Sequence, residues 1–321
     1  MNNTSNINKL SERIAWVDAF RGFLIILVVL GHVLQTGNFD NNRLWNFIYS
    51  FHMPAFFVIS GYVSYKISYD GKLYVKRIKG LLIPWVSWVF LFGLFSDNLK
   101  DYVWKAFYEP DTSLWFLITL FYIACFQNVL YFLSQKININ LFILSFISFV
   151  LLLLIHKTIE PSPFGFGWTV YHFPYYVIGQ YLRYAKFDLI QNRLFYILLP
   201  VFFILAFYWK RLEVPIILPN LLIAQEYIIY FYKYVCAIVG SLALLYVFKT
   251  FSIFFSKRNL IVYAGQLSLG IYACHVPIIK FIRGGSEQGY SLCFVLTIFF
   301  SLLFVFFISK SRVLSRFFLG K

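Results

Sequence analysis

The chain reads as a series of long apolar runs separated by short polar breaks, and the runs approach or reach the ~20 residues that a helix needs to cross a hydrocarbon layer. The first extends from Ile14 to Thr36 around an unbroken apolar stretch, Phe23 to Leu30. Similar segments follow near 47–65, 80–96, 114–133, 141–155, 170–185, 195–209, 228–248, 262–281 and 290–309. Helices of a water-soluble domain carry a polar face, and most of these runs have none. The pattern predicts an all-α fold, a polytopic integral membrane bundle of about ten transmembrane helices. It assigns 1–321 to a single domain with short tails at 1–13 and 310–321.

Composition agrees with the pattern. Hydrophobic residues make up 60% of the chain and charged residues 13%, against about 25% charged in a soluble domain. A net charge of +15 on a soluble protein would point to nucleic acid. Here the basic residues sort by side instead. Lys72, Lys76, Arg77, Lys79, Lys136, Arg183, Lys310 and Arg312 fall on the side that also holds both tails, while most acidic residues, among them Asp97, Asp101, Glu109 and Asp111, fall on the other. Loops rich in Lys and Arg stay in the cytoplasm, so both chain ends are expected inside, with membrane lipids rather than nucleic acid as the surrounding partner. The polar first thirteen residues and the lack of a small-residue cleavage site after the first run predict an uncleaved first helix.

An ionisable group at the centre of a span costs roughly 2.5 to 3.5 kcal/mol and is a functional candidate by default. The first span holds three: Asp18, Arg21 and His32. At ~100° per residue they share an arc of ~60° on one helix face, with Arg21 toward the cytoplasmic end and His32 ~16 Å further along. One reading is an Asp18–Arg21 pair at the interface with a hydrogen-bonded core histidine. The other is a functional stripe. His52 and His275 fall, like His32, roughly 6 to 9 Å below the outer boundary of their spans at ~1.5 Å per residue. A histidine layer at that depth suits a proton relay, a metal site or acid–base work. No Cys, Asp or Glu stands near it at ligand spacing, and no metal is expected. On the cytoplasmic side Arg77, beside Lys76, is the cation best suited to a phosphate, because a guanidinium grips one through two parallel hydrogen bonds.

These residues also resemble a family. Asp18, Arg21 and His32, followed by Phe51-His52-Met53-Pro54-Ala55-Phe56-Phe57-Val58-Ile59-Ser60-Gly61-Tyr62, are similar to the membrane acyltransferase-3 family, and within it to the fucose 4-O-acetylase-like glycan O-acetyltransferases. Arg77 with Leu81-Leu82-Ile83-Pro84, Leu114-Trp115-Phe116-Leu117, and Ile271-Tyr272 with His275 and Pro277 extend the resemblance to about residue 281. It implies transfer of an acyl group, usually acetyl, from cytoplasmic acetyl-CoA to a hydroxyl of a cell-surface glycan or lipid-linked saccharide acceptor, in the inner membrane of a bacterium. In such an enzyme His32 acts as general base or is itself transiently acylated. Arg21, with Asp18 fixing its guanidinium, holds the thioester or a phosphate, and Arg77 and Lys76 hold the phosphates of CoA. His52 assists proton transfer or orients the acceptor. Trp115 stacks on the sugar or anchors the membrane interface, and His275 contacts substrate or is structural. A polysaccharide exporter or flippase using the same polar stripe, without acyl transfer, is the alternative.

Overall fold

The computed structural model describes residues 15–35, 41–65, 71–110, 114–159, 163–185, 194–211, 225–256, 259–284 and 289–321. Among these residues all regular structure is helical: α1 (Ala15–Leu34), α2 (Arg43–Tyr49), α3 (His52–Ser64), α4 (Lys72–Arg77), α5 (Ile83–Gly93), α6 (Leu99–Tyr108), α7 (Trp115–Ile137), α8 (Leu141–Thr158), α9 (Phe166–Tyr184), α10 (Leu194–Tyr208), α11 (Gln225–Thr250), α12 (Leu260–Gln266), α13 (Ser268–Arg283) and α14 (Tyr290–Lys310). A π-turn, Ile78–Leu82, joins α4 to α5, and a short hook, Arg312–Leu314 with a second π-turn at Ser315–Leu319, follows α14.

Every one of the ten expected spans falls on helix, yet six are long and apolar enough to cross a membrane: α1, α2 with α3, α7, α8, α11 and α14. The number is seven if α12 and α13 count together. The protein is thus a multi-pass membrane protein, with fewer qualifying spans among the described residues than the sequence pattern predicts. The differences have local causes. The second span begins at Arg43 rather than 47, because Asn42 caps α2 by accepting from the amides of Leu44 and Trp45. The ninth is parted at Leu267, whose φ of −101° and ψ of 5° leave the helical ladder. The third is divided between α5 and the π-turn before it, and the seventh, on α10, is apolar but short.

The chain forms two compact units, one from Met1–His52 with Asp188–Ser268, the other from Met53–Phe187 with Leu269–Lys321. In the first, α1 and α12 touch backbone to backbone. A Cβ on Gly22 would stand 1.8 Å from the Ile261 carbonyl oxygen, and one on Gly265 1.7 Å from that of Asp18. Phe248 of α11 packs on Phe20 and Phe23 of α1, and Phe202 of α10 packs against Phe47 and Phe51.

In the second unit α3 and α9 meet in the same way, Gly61 against the Tyr176 backbone and Gly179 against that of Val58. Small residues let helices approach closely where lipid supplies no hydrophobic drive for association. The hairpin from α7 to α8 turns through Asn138 in the left-handed region at φ 54° and Asn140, whose side chain caps α8. Ser145 is the one buried residue of α8, and its hydroxyl pairs with Gln127. The rest of α8 is an apolar surface suited to lipid.

Candidate active site

Asp18, Arg21, His32 and His52 lie in the first unit, and Lys76, Arg77, Trp115 and His275 in the second. On α1, Asp18 is 4% exposed and its Oδ2 has no hydrogen-bond partner among the described residues. That oxygen is an acceptor a polar group of a ligand can meet. Arg21 is half-buried one turn further along.

His32, also half-buried, hydrogen-bonds the Gln35 side chain. The Tyr49 hydroxyl donates to Gln35 Oε1 at 3.1 Å, and the Tyr49 ring lies stacked on Trp45 with centroids 4.0 Å apart. This requires a glycine at position 31, because a Cβ there would stand 2.9 Å from the phenol ring. The His52 ring meets Tyr49 edge-on at 4.8 Å. Its Nδ1 lies 2.7 Å from the Ile48 carbonyl oxygen. A carbonyl only accepts, so the neutral ring carries its proton on Nδ1 and offers the lone pair of Nε2. His32, Gln35, Tyr49 and His52 thus form one polar group held by α1, α2 and the start of α3, able to orient an imidazole and accept a proton.

In the second unit Lys76 is exposed at the end of α4, while half-buried Arg77 directs Nη2 toward the Tyr176 hydroxyl at 3.5 Å. The π-turn begins at the next residue, a type of distortion frequent at functional sites. Trp115, the first residue of α7, belongs to a cluster of rings: Phe57 stacked on His172 at 4.5 Å, His172 tilted against Trp115 at 5.1 Å, and Trp115 stacked on Trp168 at 4.6 Å. His172 Nδ1 is bound by the Trp168 carbonyl at 2.9 Å. His275 is fully buried, and its Nδ1 donates to the Tyr272 carbonyl at 2.6 Å. The Tyr272 hydroxyl in turn accepts from the Phe116 amide at 3.2 Å. The bond of His275 thus stays within α13, and it is the Tyr272 side chain that joins α13 to α7. No group of three or more potential metal ligands occurs among the described residues.

Sequence reasoning passed over Gln35, Tyr49, Trp168 and Tyr176. Gln35 stands three residues beyond His32 and Tyr49 three before His52, so helical spacing alone carried a signal for both. Trp168 stands four residues before His172, again at helical spacing, whereas Tyr176 carried no signal, since the Arg77 it meets is distant in the chain.

A family model described as an acyltransferase domain matches residues 14–310. Among curated proteins, the nodulation protein NolL of Sinorhizobium fredii (strain NBRC 101917 / NGR234) is 41% identical over 81 residues, 22% of each chain. NolL of Mesorhizobium japonicum (strain LMG 29417 / CECT 9101 / MAFF 303099) is 30% identical over 125 residues, 32% of each chain. The matched stretches thus span a third or less of these relatives' length. No solved structure matches.

Proposed function

Because the chain belongs to the acyltransferase-3 family, we propose that it transfers an acyl group, acetyl in the first instance, from acyl-CoA to a hydroxyl of a cell-surface glycan or its lipid-linked precursor. The observation that carries this reading is the chain of contacts from Trp45 through Tyr49 and Gln35 to His32, with His52 against the same tyrosine. An isolated core histidine needs no such support.

His32 accepts the proton of the acceptor hydroxyl as its oxygen attacks the thioester carbonyl. The new C–O bond forms, the C–S bond breaks, and the departing thiolate takes the proton from the imidazolium, which restores the base. If His32 is instead acylated first, the acyl group crosses to the hydroxyl in a second displacement. His52, through Nε2, assists the proton transfer or orients the acceptor. Arg21 holds the thioester oxygen or a phosphate, and the open oxygen of Asp18 receives a polar group of the donor. Arg77 and Lys76 bind the CoA phosphates, Arg77 through its planar fork and Lys76 as a point charge. Trp115 and its ring neighbours offer a flat face to a sugar. The proposed setting is the inner membrane of a bacterium, with about ten spans, both chain ends inside and the donor supplied from the cytoplasm.

The test is transfer of labelled acetyl from acetyl-CoA by the purified protein in proteoliposomes to extracted surface glycan. Base-labile label in the glycan, with release of free CoA in equal amount, supports the reading. Glycan that crosses the bilayer unlabelled, with acetyl-CoA unconsumed, supports the exporter.

A further inference from the structure

The hook that follows α14 is fastened to the segment carrying Arg77 by contacts that its surface position does not require. Ser311 starts it by accepting from the Leu314 amide. Leu319 is buried and reaches Gly270 of α13, where a Cβ would stand 2.8 Å from Leu319 Cδ2. Trp88 of α5, fully buried, donates Nε1–H to the Phe318 carbonyl at 2.9 Å and meets the Phe318 ring edge-on at 5.0 Å.

The closest approach is at Gly320, the C-cap of the second π-turn, which has φ of 66°. A Cβ at Gly320 would stand 2.7 Å from Gly80 Cα, 2.9 Å from the Gly80 carbonyl oxygen and 3.0 Å from that of Lys79. Only glycine takes this φ without strain and leaves room for that backbone. The contact falls on the middle of the first π-turn, two and three residues beyond Arg77. A π-turn is a wide, poorly favoured turn that persists where its surroundings hold it. Gly80 itself meets nothing within 4 Å in the direction of its own Cβ, so its neighbour is bound through the backbone rather than through close packing on that side.

We infer that the hook Ser311–Gly320 is a latch on the Ile78–Leu82 π-turn, and that Gly320 is a positioning residue which, through this turn, sets Arg77 for the phosphates of the acyl-CoA donor. This rests on the donor role proposed for Arg77. The latch acts on the backbone beneath the cation and touches no donor atom. Disturbing it weakens donor binding and leaves the chemical step alone.

The experiment uses the full-length protein in detergent, with coenzyme A itself as probe. Calorimetric affinity for coenzyme A and amide hydrogen exchange over residues 72–82 are measured for wild type, Gly320→Val, Trp88→Phe and Gly80→Ala. In Gly320→Val the segment exchanges about tenfold faster and affinity falls about tenfold. Trp88→Phe, which keeps an aromatic ring and loses the bond to Phe318 together with part of the indole's packing, shifts both in the same direction by less. Gly80→Ala, entering open space, changes neither. Unchanged exchange over 72–82 in Gly320→Val overturns the latch, as does faster exchange with unchanged affinity. A hook that is merely structural lowers thermal stability while leaving affinity in place. A wild type that binds no coenzyme A overturns the donor reading of Arg77 and the latch's role with it, whereas a wild type that binds it and a Gly320→Val protein that binds equally well overturn the latch alone.

Discussion

The hydroxyl of Tyr49 donates to Oε1 of Gln35 across 3.1 Å, and Gln35 bonds the side chain of His32. Through this bond α2 bears on an imidazole of α1. A tyrosine held by stacking on Trp45 is a stiff support, and stiff support is what an imidazole needs to present one nitrogen steadily to a reacting hydroxyl.

Tyr49→Phe keeps the ring and its packing and removes only the hydroxyl. The expected outcome is a fall in kcat of about tenfold with the donor KM unchanged, since the lost interaction acts on the base rather than on donor binding. Gln35→Leu gives a similar fall. The double variant is little worse than either, because both act through one chain of bonds. Steady-state rates of CoA release on the four proteins decide this. Two independent losses that multiply would show that the residues do not work through His32 together.

The glycine contacts give a stability prediction. Gly22→Val or Gly265→Val drives side-chain atoms into the Ile261 or Asp18 backbone and lowers stability by about 1–3 kcal/mol or more. Gly71→Ala, which meets nothing within 4 Å, is neutral. Thermal unfolding in detergent, followed by intrinsic fluorescence, orders the three proteins. An unfolding temperature for Gly22→Val equal to wild type would mean that α1 and α12 are not in backbone contact.

Trp168 is half-buried, and its ring contacts are with Trp115 and His172. If this cluster carries the acceptor, Trp168→Ala and Trp115→Ala each raise the acceptor KM by about three- to tenfold, the worth of one aromatic pairing, and leave the donor KM alone. Initial rates against acceptor concentration check it. A change in the amount of inserted protein, with KM constant, would assign these rings to membrane anchoring instead.

The sequence made the helical class plain because apolar runs have to be nearly continuous to cross lipid, and α1, α7, α8, α11 and α14 lie where those runs are. The break at Leu267 was invisible, since Gln266-Leu267-Ser268 contains neither proline nor glycine and departs from helix only in its backbone angles. The π-turn after Arg77 was hidden for a different reason: Ile78-Lys79-Gly80-Leu81-Leu82 falls at the expected start of the third span, where a single glycine does not tell a π-turn from the end of a helix. Among candidate site residues, Asp18, Arg21 and His32 stood out through the cost of charge in an apolar run. Trp45 did not, and the helical spacing of Tyr49 from His52 was easily passed over, because aromatics occupy 22% of the chain and one more gives little contrast against that background. The Nδ1 bonds of His275 lie in its own helix and were available from spacing, but only the folded chain shows Tyr272 reaching the Phe116 amide.

The most direct test of His32 as the centre of acyl transfer is the O-acetyl content of surface glycans, measured by NMR in a deletion strain carrying wild type or His32→Ala at equal membrane abundance. The account predicts that acetyl signals vanish in the deletion, return with wild type and stay absent with His32→Ala. Acetyl signals fully restored by His32→Ala, or an acetyl pattern unaltered by the deletion while glycan accumulates inside the cell, would contradict it.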